Sequence, residues 1–300
     1  MRALLIGASG YLGARVHGAA LAAGIDVVTA GRRPGAASGR HVVLDLAASG
    51  PAAVGAVLAD IGPDVVMNCS GATSGDLAAL SAGNIDGPGA LVAALLRMRS
   101  PARLVHLGSA AEYGRGPGRA PVREDEPPRP VGPYGVTKLA GTRLVQLART
   151  AGLPAVVLRV FNPVGPGAPA HTLPGRAASE LLRAVRENDA VRLGGLDAVR
   201  DFVDVDDVAA AVLAAATGPA PVHGVLNVGS GAAVSARELV GTLVDVAGAR
   251  VRIVEDGGGS ARSADVPWQQ ADISAAVTAC GWRPRTPLAV SLAGLWKQAS

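Results

Sequence analysis

Through the first half of the chain, short apolar runs alternate with longer Ala/Leu-rich stretches of helical periodicity. The runs Ala3–Ile6, Asp26–Ala30, Val42–Leu44, Val65–Asn68, Leu104–Leu107 and Ala155–Phe161 predict strands, and the stretches 11–23, 51–60, 87–98 and 134–151 predict helices between them. Strands that read as continuous apolar runs are covered on both faces, and strands separated by helices run parallel. With right-handed crossovers the expectation is an α/β fold, a doubly wound parallel sheet with its ligand crevice at the strands' carboxyl ends. Beyond Phe161 the pattern loosens. Helices at 177–187, 206–216 and 236–246 and strands at Val191–Leu193, Val225–Val228 and Val251–Val254 predict a smaller C-terminal α/β substrate-binding domain, with 206–216 returning to the main sheet.

The first strand leads into Gly7-Ala8-Ser9-Gly10-Tyr11-Leu12-Gly13, which opens the first helix. Gly7 allows a tight turn, Gly10 lets backbone approach a pyrophosphate, and Gly13 lets helix and strand pack closely. The free N–H groups and positive dipole end of that helix form an anion site. In a chain of 300 residues with 40 glycines the spacing alone decides nothing. Its position between a strand and a helix does, and marks a dinucleotide site of Rossmann type. The expected division is 1–161 plus 202–228 for the dinucleotide-binding domain and 162–201 plus 229–300 for the substrate-binding domain.

The other strand ends carry further unusual residues. The second closes on Gly31-Arg32-Arg33, with no acid to take the adenosine ribose hydroxyls and two arginines suited to a 2′-phosphate. NADP(H) is therefore favoured, with NAD(H) as the alternative; the lesser reading of the arginines is a pair of solvated surface residues. Asp45, before Leu46, reads either as an acceptor for the adenine amino group or as a helix N-cap. Asn68 is followed by Cys69, Ser70 and Gly71, small residues that suit backbone passing close to a cofactor. Asn84 reads as a cap, a bridge between backbone groups, or a cofactor contact.

The fifth strand ends in Gly108-Ser109-Ala110-Ala111-Glu112-Tyr113-Gly114, and Tyr134-Gly135-Val136-Thr137-Lys138 opens a long helix. Tyr134 and Lys138 share a helix face, and a nearby ammonium lowers a phenol's pKa from about 10, as proton transfer near neutrality requires. Ser109 supplies a hydroxyl to orient a substrate oxygen. A surface i,i+4 pair would leave that serine unexplained. The loop from Gly116 to Pro133 is long enough for a lid.

Composition narrows the classes. Hydrophobic residues are 49% and charged residues 17%, a globular balance. The net charge of +4 comes from scattered arginines, which gives no nucleic-acid footprint. Cys69 and Cys280 read as two buried thiols in a reducing cytoplasm, and the histidines show no metal-ligand spacing. The first residues enter a strand directly, and the longest apolar run, Val208–Ala216, is too short to span a bilayer. A soluble cytoplasmic protein, without metal or membrane partner, is expected.

Taken together, GASGYLG, Asp45-Leu46, GSAAEYG, YGVTK, RVFNPVGP, RDFVDVDDVA, NVGSG and ADISAAVTACGWRP resemble the extended short-chain dehydrogenases/reductases. Their NAD(P)-dependent epimerase/dehydratase group includes UDP-galactose 4-epimerase. The resemblance implies that Ser109, Tyr134 and Lys138 are catalytic, with Lys138 also holding the nicotinamide ribose. Ser109 and Ala110 then face the substrate, Asn162 touches nucleotide-sugar phosphates, and Arg200 and Arg262 clamp the diphosphate. It also implies a homodimer through helices 87–98 and 134–151.

Departures from the family matter as much. Ala110-Ala111 stand where the 4,6-dehydratases carry Asp-Glu, leaving no acid to expel water. Ala111 also replaces the cysteine of GDP-fucose synthase-like enzymes, and His171, near their histidine, reads as a loop residue. Thr142 replaces a common glutamate. Glu112 occupies a usually apolar place and reads as a solvated salt-bridge partner in preference to a residue that faces the substrate. Gly257–Ser260, before Arg262, reads as a flexible loop that closes over substrate, and Trp268, Trp282 and Trp296 as packing anchors.

The expected activity is NADP(H)-dependent reduction of a ketone, foremost on a nucleotide-diphosphate-linked keto-sugar. The alternatives are a nucleotide-sugar 4-epimerase with tightly held NAD, a ketoreductase for a polyketide- or lactone-type ketone, and a non-catalytic dinucleotide sensor.

Overall fold

The structure, a computed structural model, describes residues 1–34, 39–98, 101–257 and 265–300. The first half runs β1 (Arg2–Ile6), α1 (Tyr11–Ala22), β2 (Asp26–Gly31), β3 (His41–Val43), α2 (Pro51–Ile61), β4 (Val65–Asn68), α3 (Leu77–Ser81), a π-helical turn (Ala82–Asp86), α4 (Gly87–Leu95) and β5 (Arg103–Ser109). After a short 3₁₀ turn (Ala110–Glu112) come α5 (Pro133–Thr150), β6 (Ala155–Val160), β7 (Asn162–Val164), α6 (Leu173–Glu187), β8 (Val191–Leu193) and β9 (Val199–Asp204). The remainder is α7 (Val205–Thr217), β10 (Gly224–Val228), β11 (Ala233–Ser235), α8 (Ala236–Val246), β12 (Ile253–Glu255), β13 (Trp268–Gln269), α9 (Ser274–Cys280) and α10 (Leu288–Ala299).

Seven parallel strands form the main sheet in the order β10-β6-β5-β4-β1-β2-β3. Alternate side chains of each strand serve opposite faces. Ala3 and Leu5 join Val16, Met67, Val105 and Val212 beneath α1 and α7, while Leu4 and Ile6 join Leu58, Val66, Leu91 and Val145 beneath α2, α4 and α5. Burial on both sides is why these strands are apolar throughout. The strand order reverses between β1 and β4, where Ile6 is in register with Asn68, and this switch point opens the crevice.

A third cluster unites Leu181, Leu193, Phe202, Leu239, Leu243, Leu292 and Leu295 from α6, β8, β9, α8 and α10. Here β9 pairs with β7 and β13 in parallel and with β11 antiparallel, and β8 pairs with β12. The sequence pattern did not mark β7, β9, β11, β13, α3, α9 or α10. It placed β12 two residues early, started α6 four residues late and extended α4 to 98. Trp282 is buried in the core under α7, donating from Nε1 to the Asp207 carbonyl, and Trp296 packs against the third cluster.

Candidate functional site

At the end of β1, Gly7 takes a φ of +84° and donates its N–H to the Ala30 carbonyl of β2 at 2.9 Å. A Cβ on Gly7 would stand 2.9 Å from the Ser70 nitrogen, and one on Gly13 only 2.0 Å from the Gly7 oxygen. Backbone therefore fills the places of both side chains. Gly10 caps α1 in an extended conformation, and no side chain caps that helix or places an acid in its first turn. Its N–H groups remain an anion cradle. The side chains of Tyr11 and Leu12 are engaged elsewhere: the Tyr11 hydroxyl reaches the Gly165 carbonyl at 3.3 Å, and Leu12 packs on the core. Burial raises the Tyr11 pKa, and nearby Asp204 adds to it. Ser9 is exposed in the turn.

Arg32 and Arg33 follow β2 directly and are exposed, and neither guanidinium has an ion-pair partner among the described residues. Asp45 is not the cap of α2, a place that Gly50 takes. Its Oδ1 accepts from the Ala47 N–H at 3.1 Å in a local Asx turn, with Leu46 buried below.

At the end of β4, Asn68 Oδ1 accepts from both the N–H and the hydroxyl of Ser70, at 3.1 and 2.6 Å. Its Nδ2 meets His106 Nδ1 at 3.1 Å. Cys69 is a free thiol whose pKa burial pushes up to about 12, against the pull of Lys138. Asn84 sits in the π-helical turn with its amide fully engaged. Oδ1 takes the Ala72 N–H, while Nδ2 serves the Ala72 carbonyl and the Thr137 hydroxyl. Its place is that of a clamp on the 71–72 backbone, the bridging reading of the sequence.

Two glycines seat α5. A Cβ on Gly135 would lie 2.5 Å from the Ala111 oxygen, and one on Gly141 2.3 Å from the Asn84 oxygen. The first turn of the helix thus rests on the 3₁₀ turn after Ser109, which brings half-buried Tyr134 to the end of β5. One turn on, Lys138 is buried and donates from Nζ to the Leu107 carbonyl at 2.5 Å. Burial lowers its pKa, while the Glu112 carboxylate opposes that shift. Ser109 Oγ accepts from the Ala111 N–H at 3.2 Å.

Glu112 is not solvated. It is wholly buried, and its Oε2 accepts from Arg159 Nε at 2.8 Å. Its Oε1 takes the Ser109 N–H and the Thr142 hydroxyl at 2.8 and 3.0 Å. Arg159 in turn lies over the Tyr113 ring, 4.4 Å from its centroid. The loop 116–133 is not a free lid either. Arg129 and Val122 tie it to Tyr113, Gln270 and Asp272 through backbone bonds, Val122 is fully buried, and Glu124 accepts the Asn227 N–H.

From the second half, Asn162 Nδ2 donates to the Asp201 carbonyl at 2.8 Å, and Arg200 is nearly buried on β9 with Nη1 on the Val199 carbonyl. Sequence reasoning missed two supports of this region. Buried Asp201 gathers the backbone N–H groups of Ser230, Gly231 and Ala271, and Gln269 donates to the Ala110 carbonyl at 3.0 Å, linking β13 to the residue after Ser109. Nothing in the local pattern signals either. Arg262 and the loop residues 258–260 lie outside the described residues, and His171 is an exposed loop residue.

The turn whose backbone packs too closely for a side chain at Gly7 or Gly13, leading into the uncapped N-terminus of α1, fits the diphosphate of a nicotinamide dinucleotide. The model of the NAD-dependent epimerase/dehydratase family matches residues 3–229. The chain is 39% identical to the dTDP-6-deoxy-L-talose 4-dehydrogenase (NAD(P)(+)) of Kitasatospora kifunensis, over all of this chain and 96% of that one. Among solved structures it resembles RMD from Pseudomonas aeruginosa complexed with NADPH, with a TM-score of 0.84 and 28% identity over 99% of this chain and 98% of that one. UDP-glucuronic acid 4-epimerase from Bacillus cereus, solved with UDP-glucuronic acid and NAD, shares the fold at a TM-score of 0.86 and 24% identity, covering 100% and 99% of the two chains. No described helix is long and apolar enough to cross a membrane.

Proposed function

The chain belongs to the NAD-dependent epimerase/dehydratase family, and from that premise we propose that it reduces, with NADP(H), the ketone of a nucleotide-diphosphate-linked keto-sugar. At the coarser level it is an NAD(P)-dependent oxidoreductase or sugar-nucleotide epimerase of the extended short-chain dehydrogenase/reductase group. The observation that carries the preference for NADP(H) is the exposed Arg32-Arg33 pair that follows β2 with no acid beside it. The seat of α5 on the 3₁₀ turn supports a Ser109, Tyr134 and Lys138 site, which a reductase and an epimerase would share. The 39% identical relative supports a dTDP-linked 4-keto-6-deoxyhexose as the substrate class.

A bound reduced nicotinamide supplies the hydride. Tyr134 passes its phenol proton to the carbonyl oxygen, Ser109 holds that oxygen by a hydrogen bond, and the Lys138 ammonium stabilises the phenolate and holds the nicotinamide ribose. Arg32 and Arg33 take the 2′-phosphate, which is the ground for preferring NADP(H) over NAD(H). Asn162, Arg200 and Arg262 hold the diphosphate, and segments 162–201 and 229–300 cover the sugar. Val136 and Leu147 stand exposed on α5 and Leu96 just after α4, consistent with a homodimer through α4 and α5. The cytoplasm keeps its two thiols reduced.

The test is incubation with NADPH and, separately, NADH across UDP- and dTDP-linked 4-ketohexoses. Loss of the reduced-nicotinamide absorbance band marks reduction, with NADPH the faster donor. Sugar isomerisation without net loss of the band, by enzyme purified with its dinucleotide in place, marks a 4-epimerase instead. Arg200→Ala raises KM strongly only for a diphosphate substrate.

A further inference from the structure

We propose that Glu112 is a positioning residue of this site: its buried carboxylate bolts the strand end that carries Ser109 to the helix that carries Lys138. The inference rests on the reading that Ser109, Tyr134 and Lys138 carry the proton transfer.

The geometry is specific. Oε1 receives the backbone N–H of Ser109 at 2.8 Å and the hydroxyl of Thr142 at 3.0 Å. Thr142 lies one helical turn beyond Lys138, on the same face of α5. One oxygen atom therefore spans the two elements whose separation sets the distance from the serine hydroxyl to the phenol. The other oxygen is anchored on Arg159 of β6 at 2.8 Å, so the carboxylate cannot swing. The chain also makes way for it: a Cβ on Gly108 would stand 2.7 Å from Oε1. Glu112 and Thr142 are wholly buried and Arg159 almost so.

An apolar residue in this place would fill the same space without joining strand to helix. A buried carboxylate-guanidinium pair is also a poor device for stability alone, since well-packed apolar replacements often serve as well. What the pair adds is direction: charged, short hydrogen bonds with one allowed arrangement. The carboxylate further opposes the loss of charge that burial imposes on Lys138.

The experiment compares the wild-type enzyme with Glu112→Met/Arg159→Met, which removes both charges and keeps the core filled, and with Thr142→Val and Thr142→Ser. Melting temperature, NADPH affinity by fluorescence quenching, and kcat and KM on a reducible dTDP-4-keto-6-deoxyhexose are measured. The pair variant should melt within a few degrees of wild type and bind NADPH within about twofold. It should lose at least about tenfold in kcat, with KM moving less than about threefold, the mark of misplaced groups rather than lost binding. Thr142→Val should lower kcat about threefold, and Thr142→Ser should restore it.

A folded pair variant with wild-type kcat, or one whose whole loss lies in KM or NADPH affinity, overturns the proposal. If the pair variant does not fold, Thr142→Val decides, and wild-type kcat in that variant overturns it. The underlying reading fails separately. Full turnover by Tyr134→Phe removes it, whereas an inactive Tyr134→Phe beside a fully active pair variant removes only the role of Glu112.

Discussion

Helices α1 and α5 are seated in the same way and for different ends. Each presses a glycine onto a backbone carbonyl, Gly13 onto Gly7 and Gly135 and Gly141 onto Ala111 and Asn84. In the proposed function the working groups around α1 are backbone N–H, and the side chains of Tyr11 and Leu12 are engaged elsewhere. Around α5 the proposed working groups are side chains, and Thr137, Lys138 and Thr142 are each tied to a neighbouring element. An anion site made of backbone demands only shape, so its signature is glycine spacing. A proton-transfer site demands chemistry at fixed spacing, and a second set of side chains to hold it.

The difference is sharpest at Tyr134. Tyr134→Phe removes one proton donor and no part of the cradle, so kcat should fall by about 10² to 10⁴ while dinucleotide affinity holds. A parallel loss of binding in calorimetry would mean that the two seats are not separate.

The glycines offer the converse. Gly13→Ala places a methyl 2.0 Å from the Gly7 oxygen, so the turn must open. At about 1–3 kcal/mol for such overpacking, dinucleotide affinity should fall roughly 5- to 150-fold. Gly141→Ala meets the Asn84 oxygen at a similar 2.3 Å, yet there the strain falls on the α5 seat. It should lower kcat and leave dinucleotide affinity within about threefold. Identical profiles for the two variants would sink the distinction.

The same contrast explains what could be read in advance. The main sheet was legible because each of its strands is a local apolar run covered on both faces. Strands β7, β9, β11 and β13 were not, since two to six residues gain strand form only through partners far along the chain. The glycine turn and the Tyr134/Lys138 spacing could be read for the same local reason. The tie of Glu112 to Ser109 had a local signature too, because Ser109-Ala110-Ala111-Glu112 is a capping box, and both of its bonds form. What the pattern could not tell is that Arg159 and Thr142 converge on that carboxylate. Hence a buried network was read as a solvated pair.

A smaller effect belongs to the adenosine end of the α1 seat. Arg32 and Arg33 are exposed, so water screens whatever they bind. Replacing both with serine should weaken NADPH binding about tenfold, one charge-assisted contact's worth, and leave NADH unchanged. Equal losses for the two dinucleotides would remove the ground for an NADP(H) preference.

The smallest effect lies beneath α5 and reads as a pH slope. Ser70 donates to Asn68 Oδ1, so the Asn68 amide nitrogen faces His106, and His106 Nδ1 accepts. The imidazole proton then sits on Nε2, which is buried without a hydrogen-bond partner among the described residues. Protonating Nδ1 would set one N–H against another. Burial first, and then Lys138, accordingly hold the His106 pKa well below its ordinary value of 6.5. In the unfolded chain the same ring takes up a proton near pH 6.5. Below that pH the unfolded state binds a proton that the native state refuses, so native stability must fall as the pH drops, by up to about 1.4 kcal/mol per unit. His106→Asn offers an oxygen where Nδ1 accepts and has nothing to titrate. Its melting temperature should therefore decline less than that of the wild type between pH 7 and pH 5, the other acid-sensitive groups being common to both. Parallel declines would place the proton elsewhere and leave the His106 ring able to charge inside the fold.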